Sequence, residues 1–262
     1  MDNMPKFSII TVCYNAAANI EKTIASVVNQ TYEDYEYIII DGASTDTTLD
    51  IIKKYSENYP KIKYISEPDR GLYDAMNKGV GLAIGDYIQF LNAGDTLFDS
   101  DVLKHVQECI TEDADILYGN IMYVNPDGSE NIRTYGASCR RPIYYATGDC
   151  INHQACFTKR TCFKGNDFDY KTYAICADRD YMMRLSKAHA KWVPTGLMMV
   201  RYLLDEDSIS IRDKNKLRTE ERMCLKRHYP GLYPMYLIFD GCRNNRVLSK
   251  VLHGVYKLLY IR

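Results

Sequence analysis

Side chains suited to holding a nucleotide and a divalent ion recur in the first half of the sequence, at Cys13-Tyr14-Asn15, Asp41-Gly42-Ala43-Ser44, Glu67-Pro68-Asp69-Arg70-Gly71 and Asn92-Ala93-Gly94-Asp95. A carboxylate accepts from a base N–H or from ribose hydroxyls, and Ser or Asn completes the pairing. Arg70 can fork onto a phosphate, and Gly71 lets backbone approach a ligand. Asp74 and Asn77, one helical turn apart, can face the same pocket. Plainer readings exist: Asp41-Gly42 as a turn, Asp46 as a helix cap, and Arg70 and Asp74 as a solvated helix start. A nicotinamide-type dinucleotide fold is excluded. The turn Cys13-Tyr14-Asn15-Ala16-Ala17 has no glycine, and the cluster Gly79, Gly81 and Gly85 ends a helix instead of opening one.

These residues need elements that bring them together. Apolar runs alternate with helical patterns in the order of βαβ units. Strands are expected at 7–13, 37–40, 62–66, 87–91 and 116–118, and helices at 17–29, 47–59, 72–83 and 102–110. In such sheets ligands bind beyond the carboxyl ends of the strands, so the four polar groups should converge on one crevice. A hairpin is expected around Asn125-Pro126-Asp127-Gly128, and a helix at 179–188 with Asp178 as a candidate cap.

At this point the chain resembles the family 2 glycosyltransferases with the GT-A fold. The matching motifs run from Ser8-Ile9-Ile10-Thr11-Val12-Cys13-Tyr14-Asn15 through Val28-Asn29-Gln30-Thr31-Tyr32 and Ile39-Ile40-Asp41-Gly42-Ala43-Ser44-Thr45-Asp46 to Gly71-Leu72-Tyr73-Asp74-Ala75-Met76-Asn77-Lys78-Gly79 and Gly85-Asp86 to Asp95. The resemblance implies an α/β fold of GT-A type, a Rossmann-like, mostly parallel sheet flanked by helices, with a helical C-terminal segment. Residues 1–230 are expected to form the catalytic domain, divided into a nucleotide-sugar-binding half (1–119) and an acceptor-side half (120–230), and 231–262 the helical segment. It assigns Asp41 to the base and ribose of the donor, with Tyr14, Asn15, Ser44 and Asp46 around the nucleotide, and Asn92 to the donor side. The aspartate-rich motif that holds Mg²⁺ or Mn²⁺ against the donor diphosphate is reduced here to Asn92-Ala93-Gly94-Asp95, leaving Asp95 as the metal ligand. Cys176-Ala177-Asp178-Arg179 is similar to the family's second acidic motif, with Ala177 in place of Glu and Asp178 as the base that takes the acceptor proton in inverting direct displacement. His153 and Gln154 fall on the acceptor side. The implied donor is a uridine diphosphate sugar, and the implied acceptor a glycan or lipid-linked glycan of polysaccharide biosynthesis.

Composition narrows the setting. With 33 basic and 34 acidic residues, no global pull toward nucleic acid exists. The beginning lacks a secretory pattern, no apolar run reaches the roughly 18 residues of a membrane span, and nine scattered cysteines without C-x-x-C spacing read as reduced thiols. These features point to the cytoplasm. From Arg243 to Arg262 an apolar stripe (Val247, Leu248, Val251, Leu252, Val255, Leu258, Leu259) is interspersed with Lys and Arg. Such a helix either lies on an anionic membrane surface, giving peripheral attachment, or packs on the catalytic domain. Two other functions fit parts of the sequence. One is a catalytically weak nucleotide-binding protein of this fold, because carboxylates are missing at Asn92, Gly94 and Ala177. The other is a nucleotidyltransferase, which would want the Gly-rich basic loop this chain lacks.

Overall fold

The computed structural model describes residues 5–165, 167–204, 212–242 and residue 254. Phe7–Cys13 (β1) and Tyr35–Asp41 (β2) are buried at every position. Strands covered by helices on both faces require this, and so they read as unbroken apolar runs. Between them Ile20–Val28 (α1) buries Ile20, Thr23, Ile24 and Val27, a single helical stripe. It starts later than the apolar pattern suggests, because the N–H groups of Asn19 and Ile20 both turn back onto the Ala16 carbonyl. Thr48–Asn58 (α2), Ile62–Ser66 (β3), Leu72–Leu82 (α3) and Tyr87–Phe90 (β4) complete a parallel set in the order β3-β2-β1-β4.

Past β4 the sheet becomes mixed. Thr96–Leu97 (β5), Val102–Glu108 (α4), Ile116–Val124 (β6), Glu130–Arg133 (β7), Cys156–Lys159 (β8) and Trp192–Leu203 (β9) extend it in the order β4-β8-β6-β9-β5, with β7 on β6. β8 lies antiparallel to both β4 and β6, because it is reached through short 3-10 turns at Ala137–Arg140, Pro142–Thr147 and His153–Ala155 and not through a crossover helix. The β6–β7 hairpin turns at Asn125–Ser129 with Gly128 at φ 81°, where the turn residues placed it. Ala177–Lys187 (α5), Lys214–His228 (α6) and Tyr233–Cys242 (α7) give a helical C-terminal region. The apolar stripe from Val247 to Leu259 lies outside the described residues. Among those described, no helix is long and apolar enough to cross a membrane.

Alternate residues of β1 feed two core layers. Ile10 and Val12 join Met76 and Phe90, while Phe7 and Ile9 join Ile20 and Ile24. α3 packs tightly on the sheet at Gly79, where an added Cβ would stand 2.5 Å from Ile10 Cγ2. Ile10 is fully buried and branched at Cβ, which fixes the direction of the Cγ2 methyl, so the contact cannot relax cheaply. Gly79→Ala should cost about 1–3 kcal/mol of stability, the usual range for overpacking. Urea denaturation checks this, and an unchanged midpoint would show that α3 can slide on the sheet.

Candidate active site

The loops after β1 and β2 are laced together. The Asn15 N–H donates to Ser44 Oγ (2.8 Å), the Thr45 N–H to Asn15 Oδ1 (2.8 Å) and the Ala17 N–H to Asp46 Oδ2 (3.1 Å). Asn15 and Ala43 sit at φ 50° and 59°, a left-handed geometry that these cross-loop bonds hold. Asp41 is wholly buried: its Oδ2 accepts from Ser66 Oγ (2.6 Å) and the Ser44 N–H (3.1 Å), and its Oδ1 from the Ser44 hydroxyl. Asp46 Oδ1 accepts from the Thr48 N–H, and the Thr48 hydroxyl and the neighbouring N–H groups hold its carboxyl below the usual range. Beside these loops a cleft of about 280 Å³ is lined by Val12, Cys13, Tyr14, Asp69, Gly71, Leu72 and Ala75. Tyr14 leaves 63% of its surface open there. Gly71, at φ 113° and with open space around its Cα, begins α3.

A second cavity, of about 480 Å³, shares Leu72 with the first. Asn92, His153, Gln154 and Asp178 all line it, so the residues expected on the acceptor side and the expected base do meet. Asp178 sits in the first turn of α5. It does not cap that helix, whose cap position is Cys176. Asp178 Oδ1 accepts from the Arg179 N–H (2.8 Å) and faces the Tyr73 hydroxyl (3.0 Å), which also bonds the Ile175 carbonyl (2.6 Å). Its Oδ2 lies 2.9 Å from His153 Nδ1. Burial alone would raise this carboxyl, but the His153 ring, the Tyr73 hydroxyl and the Arg179 N–H outweigh it and hold the group below the usual range.

Other expected residues are placed elsewhere. Asn77 does not share a pocket with Asp74: both ends of its amide bond the Phe168 backbone, while Asp74 Oδ2 accepts from the Arg70 N–H. Arg70 is exposed, between the lining residues Asp69 and Gly71. Asp95 was expected in an open strand-end loop and is instead buried, its Oδ1 accepting from the Leu203 N–H of β9 (3.0 Å) and its carboxyl from Gln154. Burial pushes that carboxyl up to about 8. A neutral buried acid beside the single amide of Asn92 is a poor donor set for Mg²⁺ or Mn²⁺. Among the described residues no three His, Cys, Asp or Glu side chains converge as a metal-holding group.

Sequence reasoning missed Tyr73 and Glu220 and gave Asp69, which lines the first cleft, no role of its own. Glu220, buried on α6, accepts from the N–H groups of Ala174 (3.1 Å), Ile175 (2.8 Å) and Cys176 (2.9 Å), fixing the segment that leads into Asp178. Asp69 was visible in its motif. Glu220 carries no local signal.

An open cleft at parallel strand ends beside an acid-lined cavity is where an α/β sheet of this kind takes a ligand. Residues 8–184 match Glycosyl transferase family 2, and the chain belongs to that family. It is 37% identical over 184 residues to a PGL/p-HBAD biosynthesis glycosyltransferase of Mycobacterium tuberculosis, covering 69% of each chain. It is also 29% identical over 213 residues to hyaluronan synthase of Pasteurella multocida, covering 81% of this chain and 22% of that one. Among solved structures, S. aureus TarS in complex with UDP-GlcNAc aligns with TM-score 0.65 at 18% identity, over 89% of this chain and 72% of that one. Mannosyltransferase PcManGT from Pyrobaculum calidifontis, in complex with GDP-Man and Mn²⁺, aligns with TM-score 0.58 at 16% identity, over 98% and 81%. The chain is a GT-A glycosyltransferase that moves a sugar from a nucleotide-sugar donor.

Two outcomes test the site's architecture. Glu220→Gln keeps the shape but turns an NH₂ toward N–H groups, so it should cost about 1–3 kcal/mol, measured by thermal melting. An unshifted transition would release Glu220 from that role. Asp95, whose folded-state value lies above the unfolded one, contributes stability that is full below 3.8 and lost as pH rises toward about 8. Asp95→Asn should flatten the fall in urea midpoint between about pH 5 and 8; a slope equal to wild type would place its source in another group.

Proposed function

We propose that the donor is a uridine diphosphate sugar and the acceptor a hydroxyl of a glycan or lipid-linked glycan, joined by direct displacement with inversion. The observation that carries this reading is the adjacency of the two cavities across Leu72: a cleft with an exposed aromatic ring, and a cavity holding an ionised carboxylate. A solved neighbour in complex with UDP-GlcNAc supports the choice of uridine, and one in complex with GDP-Man shows that the fold admits another base.

In this reading the base stacks on Tyr14 beside Asp69, and Asp41 and Ser44 lie under the ribose side, Ser44 or Ser66 turning its hydroxyl to free a carboxylate oxygen. Asn15, Asp46 and Asp74 shape the loops and Arg70 meets the diphosphate, while Asn77 ties α3 to residue 168. Asn92, whose buried Oδ1 has no partner among the described residues, meets the sugar where the cavities join. His153 and Gln154 flank the acceptor, whose hydroxyl attacks the anomeric carbon while the bond to the diphosphate breaks. Asp178 supplies the negative charge that deprotonation depends on. Mg²⁺ or Mn²⁺ is implied by the resemblance, but Asp95 acts in packing. A cytoplasmic enzyme attached to an anionic membrane through residues 243–262 would suit a lipid-linked acceptor.

The test is nucleoside diphosphate release from a panel of sugar nucleotides, with titration of UDP by calorimetry. Tyr14→Ala should leave the fold intact and weaken UDP binding by about tenfold or more, since a stacked base is worth about 1–3 kcal/mol. Equal UDP affinity in the variant would move the base elsewhere.

A further inference from the structure

A third cavity, of about 890 Å³, shares no lining residue with either of the two described above. Its rim is basic: Arg140, Arg141, Lys187, His189 and Lys191 all line it from exposed positions, against the carboxylate of Asp113. Lys191 pairs with Asp113 and cancels it. Arg140 gives one N–H to the neutral Trp192 carbonyl (3.1 Å) and keeps its charge, while the side chains of Lys187 and His189 enter no hydrogen bond or ion pair among the described residues. Positive charge in a concave setting focuses a field that draws anions. His189 is also held at φ 59°, where its N–H reaches the Ser186 carbonyl (3.2 Å) and the Ala190 N–H reaches the Leu185 carbonyl (3.1 Å) to close α5. Glycine takes this left-handed position without strain, so the imidazole sits on the rim against a backbone preference.

The chemistry of the walls narrows the occupant. The space is too large for a lone inorganic anion and has the size usual for a small organic ligand. Pro142, Val193 and the half-buried Tyr229 set apolar surface between the charges, against which the C–H faces of a sugar ring can pack. Base stacking would need an exposed aromatic face, and lipid insertion a projecting apolar side chain. The Trp192 ring is only 5% exposed, and none of the exposed large apolar residues lines this cavity. Two elements lead from here to the cavity around Asp178. α5 carries Asp178 in its first turn and Lys187 at its end, about 14 Å along the axis. The turn Pro142–Thr147 joins Arg141 and Pro142 here to Gly148 and Asp149 there. We propose that the third cavity is a second glycan site, which holds an acidic sugar segment of the acceptor while the reacting end lies beside Asp178. The proposal rests on the transfer reading above and gives its acceptor a negative charge. Lys187 and Arg140 meet the carboxylates, and His189 donates from a ring N–H that both of its protonation states offer.

The probes are hexagalacturonate, with a carboxylate on every sugar, and its methyl ester, which keeps the chain and removes the charge. Calorimetry on the full-length protein at low salt should show binding of the acid form that weakens as salt is added, and none of the ester. Lys187→Gln combined with His189→Gly should weaken that binding by about tenfold or more, the scale of losing charge-assisted hydrogen bonds. Both positions are exposed, and His189→Gly relieves a left-handed φ, so the melting temperature should not fall. UDP affinity in the double variant should stay within about threefold of wild type, since neither residue lines the first cleft. Equal binding of acid and ester, no binding of the acid form, or an unaltered affinity in the double variant would overturn the proposal. So would binding to phosphatidylglycerol vesicles that the double variant loses while hexagalacturonate is not bound, because the surface would then face a membrane. Absence of UDP binding by wild type would sink the donor reading alone, because the acidic oligosaccharide is titrated without donor.

Discussion

Two strands buried along both faces set the terms for everything else in this molecule. β1 and β2 tolerate polar groups in their interior only where these pair off, as Ser8 does with Glu36 (2.6 Å) and Thr11 with Tyr37 (2.9 Å). Side chains free to meet a ligand are thereby expelled to the carboxyl ends of the strands. The register Cys13 opposite Asp41 then brings the first two loops side by side, and their cross-bonds hold Asn15 and Ala43 at left-handed φ. The first cleft is a consequence of that edge.

The second cavity obeys a different logic. β8 enters between β4 and β6 through 3-10 turns, delivering His153 and Gln154 at its start, while α5 delivers Asp178 from the other direction. Neither placement is rigid by itself. Glu220 gathers three N–H groups before α5, and Arg179 reaches both Glu221 and the Gly148 carbonyl (2.8 Å), so α6 secures the helix that carries the acid. The cavity around Asp178 therefore depends on residues beyond 184, where the family match ends.

Legibility followed the range of the interactions involved. The parallel half was readable because its period and its strand-end polar groups are local, and Ile62–Ser66 and Phe7–Cys13 fall where the apolar runs put them. β6 runs on to Val124 where only Ile116–Tyr118 looked extended, since Gly119 and Asn120 interrupt the pattern and the pairing with β9 shifts register there. β9 itself contains Pro194 and Gly196, which argue against a strand in isolation. Among the expected site residues, His153 and Asp178 meet at one cavity, but their contact spans 25 positions and no spacing rule announces it. Asp95 was misread as open for the same reason: the N–H that buries it belongs to Leu203, more than 100 residues away.

Asp95 and Asp178 make the general point, since one residue type, withdrawn from water twice in one region, ends at opposite protonation states. Burial pushes both carboxyls up. For Asp95 the Leu203 N–H and the Gln154 side chain are too little compensation, and the group holds its proton into the neutral range. For Asp178 an imidazole, a phenol and a helix N–H together reverse the sign. A neutral acid is suited to knitting β9 to the strand-end loop, where a second charge beside a donor diphosphate would repel it. An ionised acid is suited to accepting hydrogen bonds from groups around a cavity. The difference between the two follows both depth, since the Asp178 side chain stays 23% exposed and Asp95 only 4%, and the number of hydrogen-bond donors each gathers, so burial alone does not fix the protonation state of a carboxyl.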